Sequence, residues 1–149
     1  MVASKNCIDL IKKFEGFKLE SYLCPASIPT IGFGSTMWPD GKKVKLGEKI
    51  DLPKAEKLLE WELKNKSIVL HGLNLNQNQV DSILSFVYNI GIGAFNSSTL
   101  LKKIKSNPND PTIRDEFMRW IKGTKNGKKV VIDGLVNRRK AEADLYFKI

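Results

Sequence analysis

A chain of 149 residues with 42% hydrophobic side chains is one ordinary domain, or two small lobes sharing a core, and folds without staples. No apolar run approaches the ~20 residues of a membrane span, and two cysteines with one histidine make neither a disulfide framework nor a ligand cluster, so no metal and no cofactor is expected. The net charge of +9 points to a polyanionic partner, but 21 of the 25 basic residues are lysines, which are solvated point charges rather than the arginine forks that read bases.

The N-terminal stretch reads as a helix opened by Ser4 as N-cap, with Cys7, Ile8, Leu10, Ile11 and Phe14 at helical spacing. Glu15 extends the apolar stripe of Ile8 and Ile11, and Gly16 follows as the terminating residue. Partial burial and the helix dipole then both favour the protonated carboxyl, as a proton donor requires. Eight residues further on comes Cys24, and five after that Thr30, in the run Pro29-Thr30-Ile31-Gly32-Phe33-Gly34. Residues 28–35 read as a strand, Pro39-Asp40-Gly41 as a turn and 42–46 as the return strand. Alternation puts Thr30, Gly32 and Gly34 on one face, bare enough for a ligand to reach the backbone, with Ile31, Phe33 and Ser35 behind.

Asp51 and Pro53 open a helix through about residue 65, and Asn76 to Gln79 resembles a capping box. The box starts a helix whose Val80, Ile83, Leu84, Val87 and Ile90 form a core stripe, ended by Gly91 and Gly93. A shorter helix is expected near Ser98 or Thr99. Another begins at Asp110-Pro111 and buries Ile113, Phe117, Trp120 and Ile121. Asn126-Gly127 suits a tight turn between lysine-rich arms, and a last helix runs over about 135–147. His71 has no local partners and reads as a core or surface residue. On the last helix Ala141 and Leu145 define an inward stripe that Arg138 interrupts. A buried arginine needs a carboxylate, and Glu15 and Glu142 are the two candidates.

These motifs together carry a resemblance. Phe14-Glu15-Gly16, the Glu-x8-Cys-x5-Thr spacing, Thr30-Ile31-Gly32-Phe33-Gly34 and Ser85-Phe86-Val87-Tyr88-Asn89-Ile90-Gly91 are similar to motifs of the phage lysozyme family, glycoside hydrolase family 24. So are Ser98-Thr99-Leu100-Leu101 and the run from Gly134 to Glu142, and the matches extend from residue 8 to the C terminus.

The resemblance implies an α+β, lysozyme-like fold: a small β-containing N-terminal lobe and a larger helical C-terminal lobe with a cleft between. Residues 1–50 would form the first lobe, 51–70 the connecting helix and 71–149 the helical lobe of one domain. It implies a muramidase that hydrolyses the β-1,4 bond between N-acetylmuramic acid and N-acetylglucosamine in peptidoglycan. Glu15 takes the general acid's place, Thr30 helps hold the attacking water, and Arg138 pairs with the acid. Gly34, Thr36, Tyr88, Asn89, Ser98 and Thr99 fall on substrate-binding positions. Cys24 stands where some members carry aspartate and many others cysteine, so it positions water with Thr30 or acts as a thiolate, unless another carboxylate such as Glu20 is the base.

The implied partner is peptidoglycan, with no nucleic acid and no stable membrane insertion, and the protein is expected to be a monomer. It would wait in the host bacterial cytoplasm and act on the wall from the periplasm or exterior, because its first residues lack a secretory signal. The alternative is a weak or inactive muramidase-like module that binds walls or recruits proteins. A basic nucleic-acid module ranks last, since it gives no reason for the Glu15 to Thr30 arrangement.

Overall fold

Helix α1, Lys5–Glu15, forms where apolar spacing is helical and buries Cys7 and Ile11. The computed structural model describes residues 1–149. Ser4 precedes α1 in extended backbone but makes no cap with its side chain; its amide and its hydroxyl both donate to the Asp81 carboxylate. A long-range bond thus replaces the local cap that the sequence suggested. Gly16 ends the helix at φ +69, and its amide donates back to Lys12.

The small sheet differs from the expected one. Strand β1, Lys18–Leu23, pairs antiparallel with β2, Pro29–Gly32. The return strand over 42–46 does not form, and only a single bridge joins Met37 to Lys43. The cause is local. Gly32 and Gly34 both take positive φ, +64 and +89, and Ile31 and Ser35 exchange both backbone hydrogen bonds. The chain therefore turns back on itself and alternation stops at Gly32. Strand β1 escaped notice because its side chains are mostly exposed on both faces, leaving no period-2 signal.

Helix α2, Leu52–Lys66, starts as expected, with the Asp51 carboxylate accepting from the Lys54 amide at 2.9 Å, and passes into a 3-10 turn at Ser67–Leu70. Helix α3, Gln77–Ile90, carries both halves of the capping box and is buried from Gln79 through Val87. Helix α4, Ile92–Asn96, fills a stretch read as a break, and α5, Thr99–Ser106, is capped by Ser98. Helix α6, Ile113–Phe117, is shorter than expected because the Asp110 carboxylate takes the Thr112 amide and hydroxyl, delaying its start. Trp120 and Ile121 lie beyond its end. Strands β3, Lys122–Lys125, and β4, Lys128–Val131, form a hairpin, with Asn126 and Gly127 at φ 53 and 77 in its two-residue loop. Helix α7, Asp133–Tyr146, completes the chain.

Helix α3 is the centre of the molecule, with α7 and α1 packed against it. Phe86 meets Phe95, Phe117 and Trp120 edge-on, with centroids 6.4, 5.3 and 5.9 Å away. Each such ring contributes roughly 1.5–3 kcal/mol by leaving water. The inward face of α7 is not the Ala141–Leu145 stripe. Both of those residues are half-buried, and the buried set is Arg138, Arg139, Glu142, Ala143 and Tyr146. Charged residues occupy the core-facing side, so hydrophobic spacing pointed to the wrong flank.

Candidate active site

Glu15 ends α1 where the 31–35 turn, α3 and α7 converge. Its side chain is 22% exposed, and its Oε2 lies 2.9 Å from Arg138 Nη1. A Cβ placed on Gly34 would come within 3.1 Å of Glu15 Oε1 and 3.3 Å of its Cδ. Gly34 is thus bare because the carboxylate lies against it. Gly32 is no open surface either, since a Cβ there would stand 3.3 Å from Ala55 Cβ on α2. The glycine face that sequence alternation offered to a ligand is occupied by the protein's own side chains.

Arg138 bonds to both of its candidate partners. Besides Glu15 it reaches Glu142 Oε2 through Nε at 3.3 Å and the Ser85 carbonyl through Nη2 at 3.1 Å. Glu142 is fully buried, accepts from Ser85 Oγ at 2.6 Å, and faces Arg139 Nε at 3.0 Å. Arg139 is also fully buried; it lies 4.8 Å over the Phe86 ring and donates to Asn89 Oδ1 at 2.5 Å. Burial pulls Arg139 down to about 10, leaving it charged at neutral pH. Burial pushes the Glu142 carboxyl up, opposed by Arg139, Arg138 and Ser85. Two carboxyl groups and two guanidiniums alternate along this chain of contacts, so each buried guanidinium has an acidic partner.

Thr30 is buried, and its hydroxyl donates to the Ile28 carbonyl at 2.9 Å. Cys24 is half-buried beside it, its thiol held below the usual range by the Ile28 backbone, with help from the Ala26 backbone. Tyr22 is Thr30's cross-strand partner and connects the two halves of the site. Burial, then the nearby Glu15 and Cys24, push its hydroxyl up. Glu15, Cys24 and Thr30 therefore share one neighbourhood.

On the opposite wall, Tyr88 donates to the Phe33 carbonyl at 2.7 Å, tying α3 to the turn. Lys66 lies 5.8 Å over the Tyr88 ring. Glu62 on α2 was not singled out from the sequence, yet it faces Ser35, Lys66, Tyr88 and Glu15, and burial pushes its carboxyl up. Its spacing of four from Lys66 was the only available signal. Arg139 had none beyond its adjacency to Arg138. Asn89 and Thr36 are exposed. Ser98 is buried as the cap of α5 and, with Thr99, lines a separate hollow that includes Glu116, Arg119 and Trp120. Glu20 faces Lys49, Asp51 and Lys54 in another hollow that Glu15 does not line.

Comparison with known proteins follows the same outline. The family described as phage lysozyme matches residues 12–142. The endolysin of Acyrthosiphon pisum secondary endosymbiont phage 1 is 38% identical over 98% of both chains, and that of Salmonella phage P22 is 36% identical over 98% of both. The solved endolysin from Escherichia coli O157:H7 phage FAHEc1 superposes with a TM-score of 0.89 at 39% identity, covering 99% of this chain and 94% of that one.

Proposed function

The chain belongs to the phage lysozyme family, and from that premise we propose that Glu15 is the acid with which it cleaves the β-1,4 bond between N-acetylmuramic acid and N-acetylglucosamine. The protein is a lysozyme-type glycosidase with lytic action on the peptidoglycan of the bacterial wall.

The observation that supports Glu15 is its pairing with Arg138 at the edge of the core. Oε2 is tied to the guanidinium, while Oε1 lies over Gly34. Oε1 is the oxygen that carries the proton and hands it to the glycosidic oxygen as the bond to the sugar carbon breaks. The Thr30 hydroxyl proton is committed to Ile28, so its lone pairs accept from a water and aim that water at the sugar carbon. Cys24, beside Thr30 and held below its ordinary range, acts as a thiolate whose sulfur takes the water's proton and becomes the thiol as the new bond forms. One proton leaves Glu15 and one arrives at Cys24, and solvent resets the pair.

Gly34, Thr36, Tyr88 and Asn89 form the substrate groove, and the hollow of Ser98 and Thr99 holds a more distant part of the wall polymer. A cleft enzyme of this size needs no second subunit, so the working unit is taken to be a monomer. No helix is long and apolar enough to cross a membrane. Before release to the wall, the protein is stored in the host cytoplasm.

Glu15→Gln tests the assignment. The amide cannot donate the proton, and Glu142 still pairs Arg138, so the variant folds. Clearing of a wall suspension should slow by at least about a hundredfold. Wild-type clearing by the folded variant would remove Glu15 from the reaction.

A further inference from the structure

The β3–β4 hairpin carries Lys122, Lys125, Lys128 and Lys129 and no acidic residue, and its register sorts these lysines into two pairs. Lys125 stands opposite Lys128 and Gly123 opposite Val130, so these residues share one face of the ribbon. That face turns inward: Gly123 and Val130 are half-buried, and a Cβ on Gly123 would meet Ile132 Cγ1 at 3.1 Å. Lys122 and Lys129 lie on the other face with Thr124 and Val131. Both line the hollow that Ser97, Thr99, Glu116 and Arg119 also line, and Lys125 and Lys128 do not.

The protein leaves the charge of this hollow unbalanced. Glu116 is its one acid, buried, with Oε2 2.9 Å from Lys103 Nζ and Oε1 3.2 Å from Arg119 Nε. Lys103 by itself offsets that carboxylate. Glu116 approaches Arg119 at Nε, and the arginine side chain is 69% exposed, so its outer donors face solvent. Lys122 and Lys129 make no ion pair at all. Arg119, Lys122 and Lys129 are therefore positive charges in excess on one concave surface.

We propose that this hollow is a binding site for a phosphate monoester carried on a sugar of the bacterial envelope. The class of anion follows from the charge. A monoester carries about −1.5 to −2 charges at pH 7 and three acceptor oxygens, whereas a carboxylate or a phosphodiester brings one charge. The arginine supplies a fork for two oxygens, the lysines are point charges for the rest, and Ser97 and Thr99 add hydroxyl donors. At about 380 Å³ the hollow falls within the ~300–1,000 Å³ of small-molecule sites, so the sugar enters with its phosphate. Single-stranded nucleic acid would need a free aromatic face for its bases. Trp120, the aromatic of this hollow, packs edge-on against Phe86 instead. The inference deepens the reading of the hollow as a hold on the wall polymer, and rests on it.

The hairpin supplies its own control. Lys122→Gln with Lys129→Gln, and Lys125→Gln with Lys128→Gln, remove equal charge from opposite faces of one ribbon. All four side chains are exposed, so both double variants should keep the wild-type melting temperature. NMR titration of each protein with glucose 6-phosphate, glucuronate, inorganic phosphate and oligothymidylate reads affinity without turnover. Glucose 6-phosphate should bind wild type more tightly than the other three probes. Its Kd should rise at least about tenfold in the Lys122/Lys129 variant and less than about twofold in the Lys125/Lys128 variant.

Equal weakening in the two variants would reduce the hollow to part of a general positive field and overturn the site. Glucuronate binding as tightly as glucose 6-phosphate would overturn the phosphate, and inorganic phosphate doing so would overturn the sugar. Tighter binding of oligothymidylate would hand the hollow to nucleic acid. Failure of the muramidase reading would look different, since wild type would then leave the wall uncut whatever the titrations gave.

Discussion

Gly34 is the residue on which the acid's placement turns. Its φ of +89 disfavours any L side chain, and a Cβ would press within 3.1 Å of Glu15 Oε1. Gly34→Ala should lower stability by roughly 1–2 kcal/mol from the backbone alone. The larger effect should be on rate, because the carboxylate must move off the turn, and displacements near 1 Å cost about a hundredfold. A thermal melt and a lysis rate on the same sample separate the two. Wild-type rate with reduced stability would show that Oε1 does not depend on that approach. Glu15, Gly34 and Arg138 are all legible in the sequence as oddities: an acid on an apolar stripe, a glycine in a strand pattern and an arginine facing a core. Their mutual contact was legible only as a choice between partners for Arg138. The structure answers that choice with both, since one guanidinium has donors enough for two carboxylates.

Among the elements, α2 carries a half-buried acid, Glu62, that sequence periodicity overlooked. Burial raises Glu62 above its ordinary value, outweighing Ser35, Lys66 and Tyr88. A carboxyl raised in the folded state stabilises the fold most below the unfolded value of about 4.3, and that contribution is lost as pH climbs through the folded value. Glu62→Gln abolishes the titration. The variant should therefore melt higher than wild type at pH 7, with the difference shrinking toward pH 4. A gap constant across that range would mean that the carboxyl is not penalised by burial. Local signals succeeded where an element is set by its own termini: the capping box of α3, the Asp51 cap of α2 and the Asn126-Gly127 turn all formed as read. They failed for β1, whose exposed faces carry no alternation, and for 42–46, where the turn at 31–35 supplies the pairing instead.

For the molecule as a whole, the net charge of +9 governs how it meets an anionic wall. The hairpin lysines Lys122, Lys125, Lys128 and Lys129 are exposed and make no ion pair, so their field reaches solvent. Screening shortens that reach from ~10 Å at 0.1 M salt to ~3 Å at 1 M. Lysis of intact walls should therefore slow several-fold over that range, while cleavage of short uncharged oligosaccharides stays nearly constant. Equal slowing of both substrates would place the salt effect in the active site rather than in the approach to the wall.

The amino-acid order alone determined the α+β class and most helix boundaries and singled out Glu15 as an acid on an apolar stripe, because each is encoded over a few residues by spacing, caps and glycine. Only the tertiary structure decided that the glycine face is covered by Glu15 and Ala55, which flank of α7 is buried and that Arg139 reaches Asn89. Those outcomes depend on charges that can be buried only once a partner from a distant segment, α1 or α3, is brought against them. Hydrophobic periodicity registers apolar burial and is blind to charge that is buried in pairs.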